Sequence, residues 1–576
     1  MFQTFFENTV KELNISMDPL ILSKSNHNDI ILYNIEKFKR HPSIIKINET
    51  FNMETTFTFN FITLNNMGDK IKNLDLTKSN PLTSIPTKII ISNSDIFTSI
   101  LYNNYNNNII TGIFPSKLKI AEIIPTHKKH ERIFKENYRP ISILSAVFKI
   151  YERLMGEQLD AYFERILSKF QCGFRKGFSS QHCLIYLIEK WRNSLDNKGA
   201  AGALITDLSK AFDCLDHGLL IAKLNAFGLD YHSLSMIHNY LSNRCQRVKV
   251  NSKYSSSWES LHGVPQGSIL GPLLFNIYLC DIFLFLNEYT VVNYADDNTP
   301  FAIGQDNQSV IKQIEHNSNI LFQWLANNVV KANPDKSHLL LSSKQNNLHA
   351  LINNHIITNS VNETLLGITI DNELTFTEHV SKLCSKASSK LHALARISNF
   401  MKQGQKRVIM KAFIQSQFGY CPVVWMFCNR TINARINRIH ERSLRIVYND
   451  YESTFNQLLQ IDKSFTIHHR NIQSLAIEIY KVINNISPEI MKDIFILKQN
   501  NRYNSNEIFV TKNIRTEHYG KESVSYLGPK IWKIIPNDIK VSKSLKEFKL
   551  KIRLWKPDKC PCKLCKTYIA GVGYID

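Results

Sequence analysis

The sequence predicts an α+β fold in which helices cover one face of a β-sheet. Three observations predict this class. Strand-like and helical segments are mixed between residues 117 and 343, and a polar break at residues 295–298 separates two strand-like runs. From residue 378 onward the chain is helical and basic. A length of 576 residues exceeds one ordinary domain, so several packed units are expected.

The segments differ in how clearly they predict structure. Residues 1–100 are rich in Asn, Ser, Thr and Ile without clear periodicity, which predicts a loosely structured lead-in. Residues 203–207 predict a strand. Residues 269–286 are apolar nearly all round, which is typical of a buried helix. An amphipathic helix over 310–330 and a strand over 337–341 follow.

The polar break predicts a hairpin between strands at 289–294 and 299–303, with Asp296 and Asp297 at its tip. Asp207 ends the earlier strand. Rigid strands can aim such carboxylates at a common point, where they repel one another unless cations lie between them. An Asp pair in a turn is weak evidence by itself, because Asp favours turns through its own local hydrogen bonds.

Carboxylate oxygens are ligands that Mg²⁺ prefers, with waters and substrate phosphates completing its coordination. Two such ions can activate a hydroxyl nucleophile and stabilise a leaving pyrophosphate. Asp207, Asp296 and Asp297 are therefore candidate catalytic residues and ligands of two Mg²⁺ ions, which Mn²⁺ could replace.

The charge of the chain favours a nucleic-acid partner. Its net charge is +21, and residues 391–576 hold 31 basic against 14 acidic residues. A merely solvated surface does not explain this asymmetry. Two helical stretches carry cationic stripes, formed by Lys382, Lys386 and Lys390 on the first and by Arg435, Arg438, Arg442 and Arg445 on the second. Either stripe alone is better explained as an ordinary solvated face, whereas the two together are equally consistent with a surface that binds phosphates.

No membrane role is predicted. The most apolar stretch, residues 272–286, is interrupted by Asn276 and Asp281 and is too short to span a bilayer. Residues 1–14 lack the apolar core of a signal peptide. The eleven cysteines are scattered, as in proteins of a reducing compartment. We expect the protein in the cytoplasm and nucleus and not in the secreted fraction.

Six blocks resemble, in order, the motifs of reverse transcriptases from jockey-like non-LTR retrotransposons. They are 137–142 (NYRPIS), 171–175 (QCGFR), 205–217 (ITDLSKAFDCLDH), 263–275 (GVPQGSILGPLLF), 294–297 (YADD) and 366–371 (LGITID). The resemblance covers roughly residues 100–570. Six blocks in one order are far more specific than the Asp pair alone.

This resemblance implies a right-hand polymerase with fingers, a ferredoxin-like palm and a helical thumb, plus a basic, mainly helical C-terminal region. We expect fingers and palm at 101–345, the primer-grip region and thumb at 346–480, and the basic region with a cysteine cluster at 481–576. The implied activity is two-metal, RNA-directed DNA synthesis from dNTPs onto a primer 3′-hydroxyl. The implied partners are an RNA template and a DNA primer or target. Asp207, Asp296 and Asp297 would hold the metals, joined by the carbonyl of Leu208.

The resemblance also assigns residues to the nucleotide. Phe212 stands where the family has an aromatic steric gate that excludes a ribose 2′-hydroxyl, the alternative being an ordinary core residue. Gln266 and Gly267 match the turn at which backbone approaches the nucleotide, since glycine has no side chain to clash. Basic residues that could contact the triphosphate, the leaving pyrophosphate or the template are Lys128, Arg139, Arg175 and Lys336. For Lys336 an ordinary surface role is equally consistent.

Cys560, Cys562 and Cys565 form a compact thiol cluster in a lysine-rich segment. Structural zinc takes four ligands, and no histidine follows these cysteines. The nearest upstream histidine is His518, and nothing in the sequence places it nearby. The cluster is either a nucleic-acid-binding zinc knuckle or three reduced thiols on a basic tail.

Two rival functions stay open at this point. An RNA-dependent RNA polymerase shares the palm and the two-metal chemistry, although Phe212 and the YADD tip argue against it. A catalytically silent, retroelement-derived RNA-binding protein is the alternative, although the intact acids argue against decay. Relatives in this group usually carry an endonuclease ahead of the polymerase, and we expect it to be lacking here. The template RNA, the target site, protein partners and oligomeric state cannot be read from the sequence.

Overall fold

The computed structural model describes residues 1–11, 27–51, 56–81, 84–128, 131–206, 208, 211–332, 336–345, 347–498, 508–510, 512–560, 562–566 and 573–574. Helices and strands are mixed along this part of the chain, which confirms the α+β class. The chain divides into two compact units. Unit 1 comprises Met1–Phe174, Asp207–Tyr289 and Asn319–Asn333, and unit 2 comprises Arg175–Thr206, Thr290–Ser318 and Pro334–Asp576.

The α-helices, numbered in chain order, are α1 Phe2–Lys11, α2 His27–Phe38, α3 Pro42–Thr50, α4 Leu64–Lys72, α5 Thr87–Ser92, α6 Ser94–Thr111, α7 Ala146–Phe163, α8 Ser180–Asp196, α9 His217–Ala226, α10 Tyr231–Leu241, α11 Gly271–Leu279, α12 Ile282–Phe285, α13 Asn307–Asn327, α14 Thr377–Ile397, α15 Gln403–Ile409, α16 Pro422–Trp425, α17 Arg430–Tyr448, α18 Phe455–Asp462, α19 Ile467–Ile483, α20 Val524–Ile534, α21 Asn537–Lys540, α22 Leu545–Leu554 and α23 Lys563–Lys566.

The strands are β1 Ile120–His127, β2 Tyr138–Ile143, β3 Ala200–Ile205, β4 Arg244–Val250, β5 Lys253–Tyr254, β6 Trp258–Ser260, β7 Val291–Tyr294, β8 Asp297–Gly304, β9 His338–Leu341, β10 His349–Ile352, β11 His355–Thr358, β12 Asn362–Leu365, β13 Ile368–Asp371, β14 Lys559–Cys560 and β15 Gly573–Tyr574.

Unit 1 contains a sheet of order β2-β1-β4-β5, with β6 also pairing with β4. Strands β1 and β4 are parallel, and the other pairs are antiparallel. Helices α2 and α3 pack against α9. Arg139 lies in β2 of this sheet, and unit 1 also contains the segments that carry Phe212 and Gln266.

The expected loosely structured lead-in is wrong for the described part of residues 1–100, where six helices begin. Each buries only a narrow apolar set, such as Ile44 and Ile47 on α3 or Met67 and Ile71 on α4. Such short stripes leave little periodicity in the sequence. The Thr63 hydroxyl caps α4 by accepting a hydrogen bond from the Asn66 amide.

The single buried helix expected over 269–286 is instead two helices, α11 and α12, interrupted around Asp281. The carboxylate of Asp281 is fully buried, and it accepts hydrogen bonds from Lys223 Nζ at 2.6 Å and Trp324 Nε1 at 2.9 Å. A buried charge requires such partners. Because they come from distant parts of the chain, the local apolar pattern did not reveal the break.

Unit 2 contains the sheet of order β7-β8-β3-β9, in which all pairs are antiparallel. Its residues are largely buried, and α8 packs on it. The predicted hairpin at 289–303 and the predicted strand at 337–341 are confirmed as β7–β8 and β9. The end of β3 and the β7–β8 turn are therefore both held by one rigid sheet.

The basic helical part predicted from residue 378 onward is confirmed as α14 and α17, which pack against each other in unit 2. The apolar stripe of α14 is buried at Val380, Ala387, Leu391 and Leu394, and that of α17 is buried at Ile432, Ile436 and Ile439. No helix in the described part of the chain is long and apolar enough to cross a bilayer.

Candidate active site

The acidic pair lies at the tip of the β7–β8 hairpin. Tyr294 pairs with Asp297, so Ala295 and Asp296 form a two-residue turn. Ala295 has a φ of +59°, in the left-handed region that residues with a side chain rarely adopt. The turn is thus strained at the position next to the acids. Asp296 and Asp297 are both half-buried.

Two buried asparagines brace this turn. Asn293 Nδ2 donates to the Ala295 carbonyl at 2.8 Å and to Asn298 Oδ1 at 3.0 Å, while Asn298 Nδ2 donates to the Asp296 carbonyl at 3.4 Å. The asparagines are 1% and 2% exposed, so water does not compete for these bonds. These bonds stabilise the strained backbone of the turn that carries the two acids.

Strand β3 runs beside β8 and ends next to the same turn. Its register pairs Ala200 with Gly304 and Ala203 with Phe301. Beyond the strand, the buried Thr206 hydroxyl donates to the Asn298 carbonyl at 2.7 Å. Residue 206 is therefore tied to the residue that follows Asp297. Asp207, the third expected ligand, lies outside the described residues.

Leu208 is described and is 4% exposed. It forms an isolated antiparallel bridge with Ala332, in unit 1. The half-buried carboxylates of Asp296 and Asp297 are oxygen donors, and this donor chemistry fits a hard divalent cation such as Mg²⁺. Soft thiol ligands are not part of this set.

Phe212, the expected steric gate, is half-buried in unit 1. Its ring stacks on Phe275 with centroids 4.5 Å apart and meets Phe174 edge-on at 5.7 Å. Two aromatic contacts restrict the ring to one orientation, because aromatic pairs prefer defined geometries. The ring is therefore positioned by α11 and by the segment before residue 175.

Gln266 and Gly267 lie in a loop bound to two other segments of unit 1. Gln266 Nε2 donates to both carboxylate oxygens of Asp213 at 3.0 and 3.1 Å, and its carbonyl accepts from the Ser142 amide at 2.8 Å. Gly267 has a φ of +121°, and a Cβ there would lie 2.7 Å from the Ser142 carbonyl oxygen. Residue 267 must therefore be glycine because its backbone lies too close to β2 to leave room for a side chain.

The expected phosphate-contacting cations differ in exposure. Arg139 on β2 and Lys128 at the end of β1 are both exposed, and Arg139 pairs with Thr126, two residues before Lys128. The alternation of side chains places these two on one face of the β1–β2 pair. Arg175 is instead 8% exposed, with its guanidinium 4.3 Å from the centre of the Phe178 ring. Lys336 is exposed and precedes β9, whose His338 pairs with Ile205.

The two cationic stripes lie on the packed helices α14 and α17. Lys382 and Lys386 are exposed, and Lys382 also pairs with Glu378 at 2.6 Å. Burial lowers the pKa of His379 to about 4, and the positive charges of Lys386 and Lys382 add to this shift.

The arginines of α17 do not share one role. Arg438 and Arg442 are exposed. Arg435 donates to Ser385 on α14 at 3.2 Å, and Arg445 pairs with Glu441 at 2.7 Å. Arg438 and Arg442 are thus the arginines of this stripe most open to a phosphate backbone.

The three C-terminal cysteines converge with a histidine that the sequence did not identify. Cys560, Cys562, Cys565 and His468 each offer one donor atom, and these atoms all lie within 4.8 Å of one another. Hydrogen bonds from the neighbouring thiols of Cys560 and Cys565 hold the pKa of the Cys562 thiol well below its ordinary value. His518, the nearest histidine in sequence, bonds instead to Glu522.

Several positioning residues carried no usable signal in the sequence. Thr206 and Asn298 sit inside the recognised blocks or beside them, but their mutual bond depends on strand register. His468 lies 94 residues before Cys562, so no short spacing pointed to it. Asp213 stands within the block around Phe212, and its partner Gln266 could be found only from the fold.

Comparisons with known proteins agree with these features. Residues 126–370 match the family described as "Reverse transcriptase (RNA-dependent DNA polymerase)". The chain is similar to a probable RNA-directed DNA polymerase from transposon BS of Drosophila melanogaster, 27% identical over 66% of this chain and 44% of that protein. It is also similar to the RNA-directed DNA polymerase from the mobile element jockey of Drosophila melanogaster, 25% identical over 66% of this chain and 43% of that protein. A third relative is a probable RNA-directed DNA polymerase from transposon X-element of the same species, 25% identical over 64% of this chain and 41% of that protein.

The resemblance to non-LTR retrotransposon enzymes is confirmed by these matches. The chain spans less than half the length of the relatives it matches, between 41% and 44% for these three.

Proposed function

We propose that this chain, which carries a reverse transcriptase domain over residues 126–370, copies RNA into DNA by extending a primer with deoxynucleotides. One observation carries the proposal: Thr206, the residue before Asp207, is bonded to Asn298, the residue after Asp297. Three acids drawn from two separate segments would then serve one reaction centre.

The carboxylates of Asp207, Asp296 and Asp297, with the carbonyl of Leu208, would hold two Mg²⁺ ions. Bound Mg²⁺ supplies Lewis-acid activation of the primer hydroxyl and neutralises charge on the triphosphate. The braced turn keeps the hairpin carboxylates in place before substrate arrives, so little reorganisation is needed. Mn²⁺ has the same oxygen preference and would substitute.

Sugar selection is assigned to Phe212. Its ring is held by Phe275 and Phe174, so it cannot easily turn away from a larger sugar. Gln266 and Gly267 would shape the neighbouring nucleotide loop, with Asp213 holding the glutamine in position. The ring volume of Phe212 would exclude the 2′-hydroxyl and so favour dNTPs over ribonucleotides.

Phosphate contacts are assigned to the exposed cations. Lys128 and Arg139 on one face of β1–β2 would contact triphosphate or template phosphates, and Lys336 would neutralise the leaving pyrophosphate. Arg175 would act through the segment it stabilises, since it is buried against Phe178. The stripes of α14 and α17 would track the nucleic-acid backbone.

Within this proposal the chain has the layout of a right-hand polymerase. Fingers and palm occupy 101–345, the primer-grip region and thumb 346–480, and a basic region 481–576. A location in the cytoplasm and nucleus is part of this proposal, because scattered cysteines are typical of proteins of a reducing compartment.

Primer extension on an RNA template tests this function. Purified protein is given a labelled DNA primer with dNTPs or ribonucleotides in parallel, with Mg²⁺ or with chelator. We expect Mg²⁺-dependent extension with dNTPs. Preferential use of ribonucleotides would assign the protein to RNA-dependent RNA synthesis, and Mg²⁺-independent or absent extension would reject the polymerase proposal.

A further inference from the structure

The four donors at the C-terminal end of unit 2 come from two segments. His468 lies in the first turn of α19, which is capped by Thr466. Cys560 ends β14. Cys562 lies just before α23, and Cys565 lies within it. All four residues are at most 3% exposed. Burying three thiols around one imidazole nitrogen brings together ligands of a soft or borderline metal ion.

The spacing of these donors matches a tetrahedral zinc site. Zinc held at about 2.3 Å by sulfur and about 2.0–2.1 Å by nitrogen separates sulfurs by about 3.8 Å and sulfur from nitrogen by about 3.5 Å. Here Cys562 Sγ lies 3.5 Å from Cys565 Sγ, and His468 Nε2 lies 3.4 Å and 3.3 Å from these two sulfurs. The fourth donor, Cys560 Sγ, lies within 4.8 Å of these three atoms. Small shifts of the four side chains would therefore bring the donors to the distances of a zinc site.

The ligand set also indicates the kind of site. Four protein donors close the coordination sphere, whereas catalytic zinc keeps a position for water or substrate. The burial of all four residues is likewise typical of a structural site. The chemistry is that of a structural site.

We propose that Cys560, Cys562, Cys565 and His468 bind one zinc ion, which fastens the C-terminal segment to α19. A second contact joins the same two segments, since Gln473 Nε2 on α19 donates to the Trp555 carbonyl at 2.8 Å. In a zinc knuckle all ligands come from one short peptide, but here the fourth comes from 94 residues before Cys562. The ion therefore cross-links the fold, and metal binding becomes part of its stability.

Zinc content of the purified full chain tests this assignment. We expect close to one zinc per chain, and a loss of zinc affinity of about tenfold or more in His468→Gln, because even residues behind a metal ligand change affinity by about 10–100-fold. His469→Gln is the matched control: His469 is buried in the same turn, bonds to Thr466, and should leave zinc content unchanged. The assignment would be overturned if both folded variants lost zinc equally. It would also be overturned if the purified wild-type protein contained no zinc.

A second measurement needs no variant. Native protein is alkylated with and without a zinc chelator, and the labelled cysteines are identified by mass spectrometry. We expect chelation to expose Cys560, Cys562 and Cys565, while the half-buried Cys245 of unit 1 labels at an unchanged rate. The zinc site would be contradicted if the three thiols were alkylated to the same extent with and without chelator. A disulfide between Cys562 and Cys565 would contradict it as well.

Discussion

The Thr206 hydroxyl donates a 2.7 Å hydrogen bond to the main-chain carbonyl of Asn298. Thr206 is 1% exposed and follows β3, while Asn298 is 2% exposed and lies in β8. The bond therefore joins the two segments that carry the proposed metal ligands, beyond the last paired residues of β3. It makes Thr206 a positioning residue for the reaction.

Removing this hydroxyl tests its positioning role. Thr206→Val keeps the side-chain shape but leaves the Asn298 carbonyl buried without its donor, at a cost of about 1–3 kcal/mol in the free energy of unfolding. We expect primer extension to lose kcat with little change in KM for dNTPs. Thr206→Ser retains the hydroxyl and should behave as wild type. If Thr206→Val keeps the kcat of wild type, Thr206 is not a positioning residue.

Phe212→Val tests the steric gate. A smaller side chain should admit the ribose 2′-hydroxyl, and we expect the preference for dNTPs over ribonucleotides to fall by about tenfold or more. Single-nucleotide incorporation measures kcat/KM for each sugar. Phe61→Leu, which changes an exposed ring of unit 1 that does not hold Phe212, should retain the preference. If the selectivity of Phe212→Val is unchanged, Phe212 is an ordinary core residue and not a steric gate.

The α14 stripe is tested by replacing Lys382, Lys386 and Lys390 with Gln. We expect uniformly weaker binding across sequences, with the slope of log affinity against log salt reduced by up to about 0.9 for each phosphate that the variant no longer neutralises. Replacing Lys37, Lys39 and Lys46 in unit 1 changes the net charge equally and serves as control. The stripe is an ordinary solvated face if both triple variants give the same slope.

A buried ion pair in unit 2 predicts a pH dependence. Burial alone would raise the pKa of the Glu478 carboxyl. The hydrogen bonds and positive charges of His182 and Lys481 outweigh this effect, so the pKa of Glu478 lies below its ordinary value of 4.5. A depressed carboxyl pKa stabilises the fold above the unfolded pKa, and this contribution disappears as pH falls through the folded value.

Glu478→Gln should accordingly lower the free energy of unfolding at neutral pH by about 1–3 kcal/mol. Denaturant titrations of wild type and variant at several pH values give the difference. We expect it to be largest above pH 4.5 and to shrink at lower pH. A difference that grows below pH 4.5 would contradict the assignment of the charge.

Elements with strong local patterns were predictable from the sequence. The strand-like runs on either side of the polar break predicted β7 and β8, and the helix expected at 310–330 is α13, Asn307–Asn327. The strand expected at 337–341 is β9, His338–Leu341. In each case the local sequence was enough, through an amphipathic helical pattern in α13 and short apolar runs in the strands.

Features that depend on distant partners were not predictable. The break between α11 and α12 reflects the buried Asp281 with Lys223, which lies 58 residues away in sequence. His468 joins the cysteine cluster only because the fold returns the C-terminal segment to α19. The reason for Gly267 also lies elsewhere, in the carbonyl of Ser142. Sequence spacing identifies a candidate ligand but not the partner that completes its site.

The central claim is that the hairpin carboxylates hold the catalytic ions. Mg²⁺-dependent primer extension by Asp296→Asn and Asp297→Asn, measured against Asp306→Asn, tests it most directly. Asp306 lies after the same strand β8, and its carboxylate accepts from the Ser309 amide at 2.7 Å, so it matches the charge change away from the turn. We predict that the first two variants lose extension by about a hundredfold or more while Asp306→Asn retains it. Equal extension by all three variants would contradict the account.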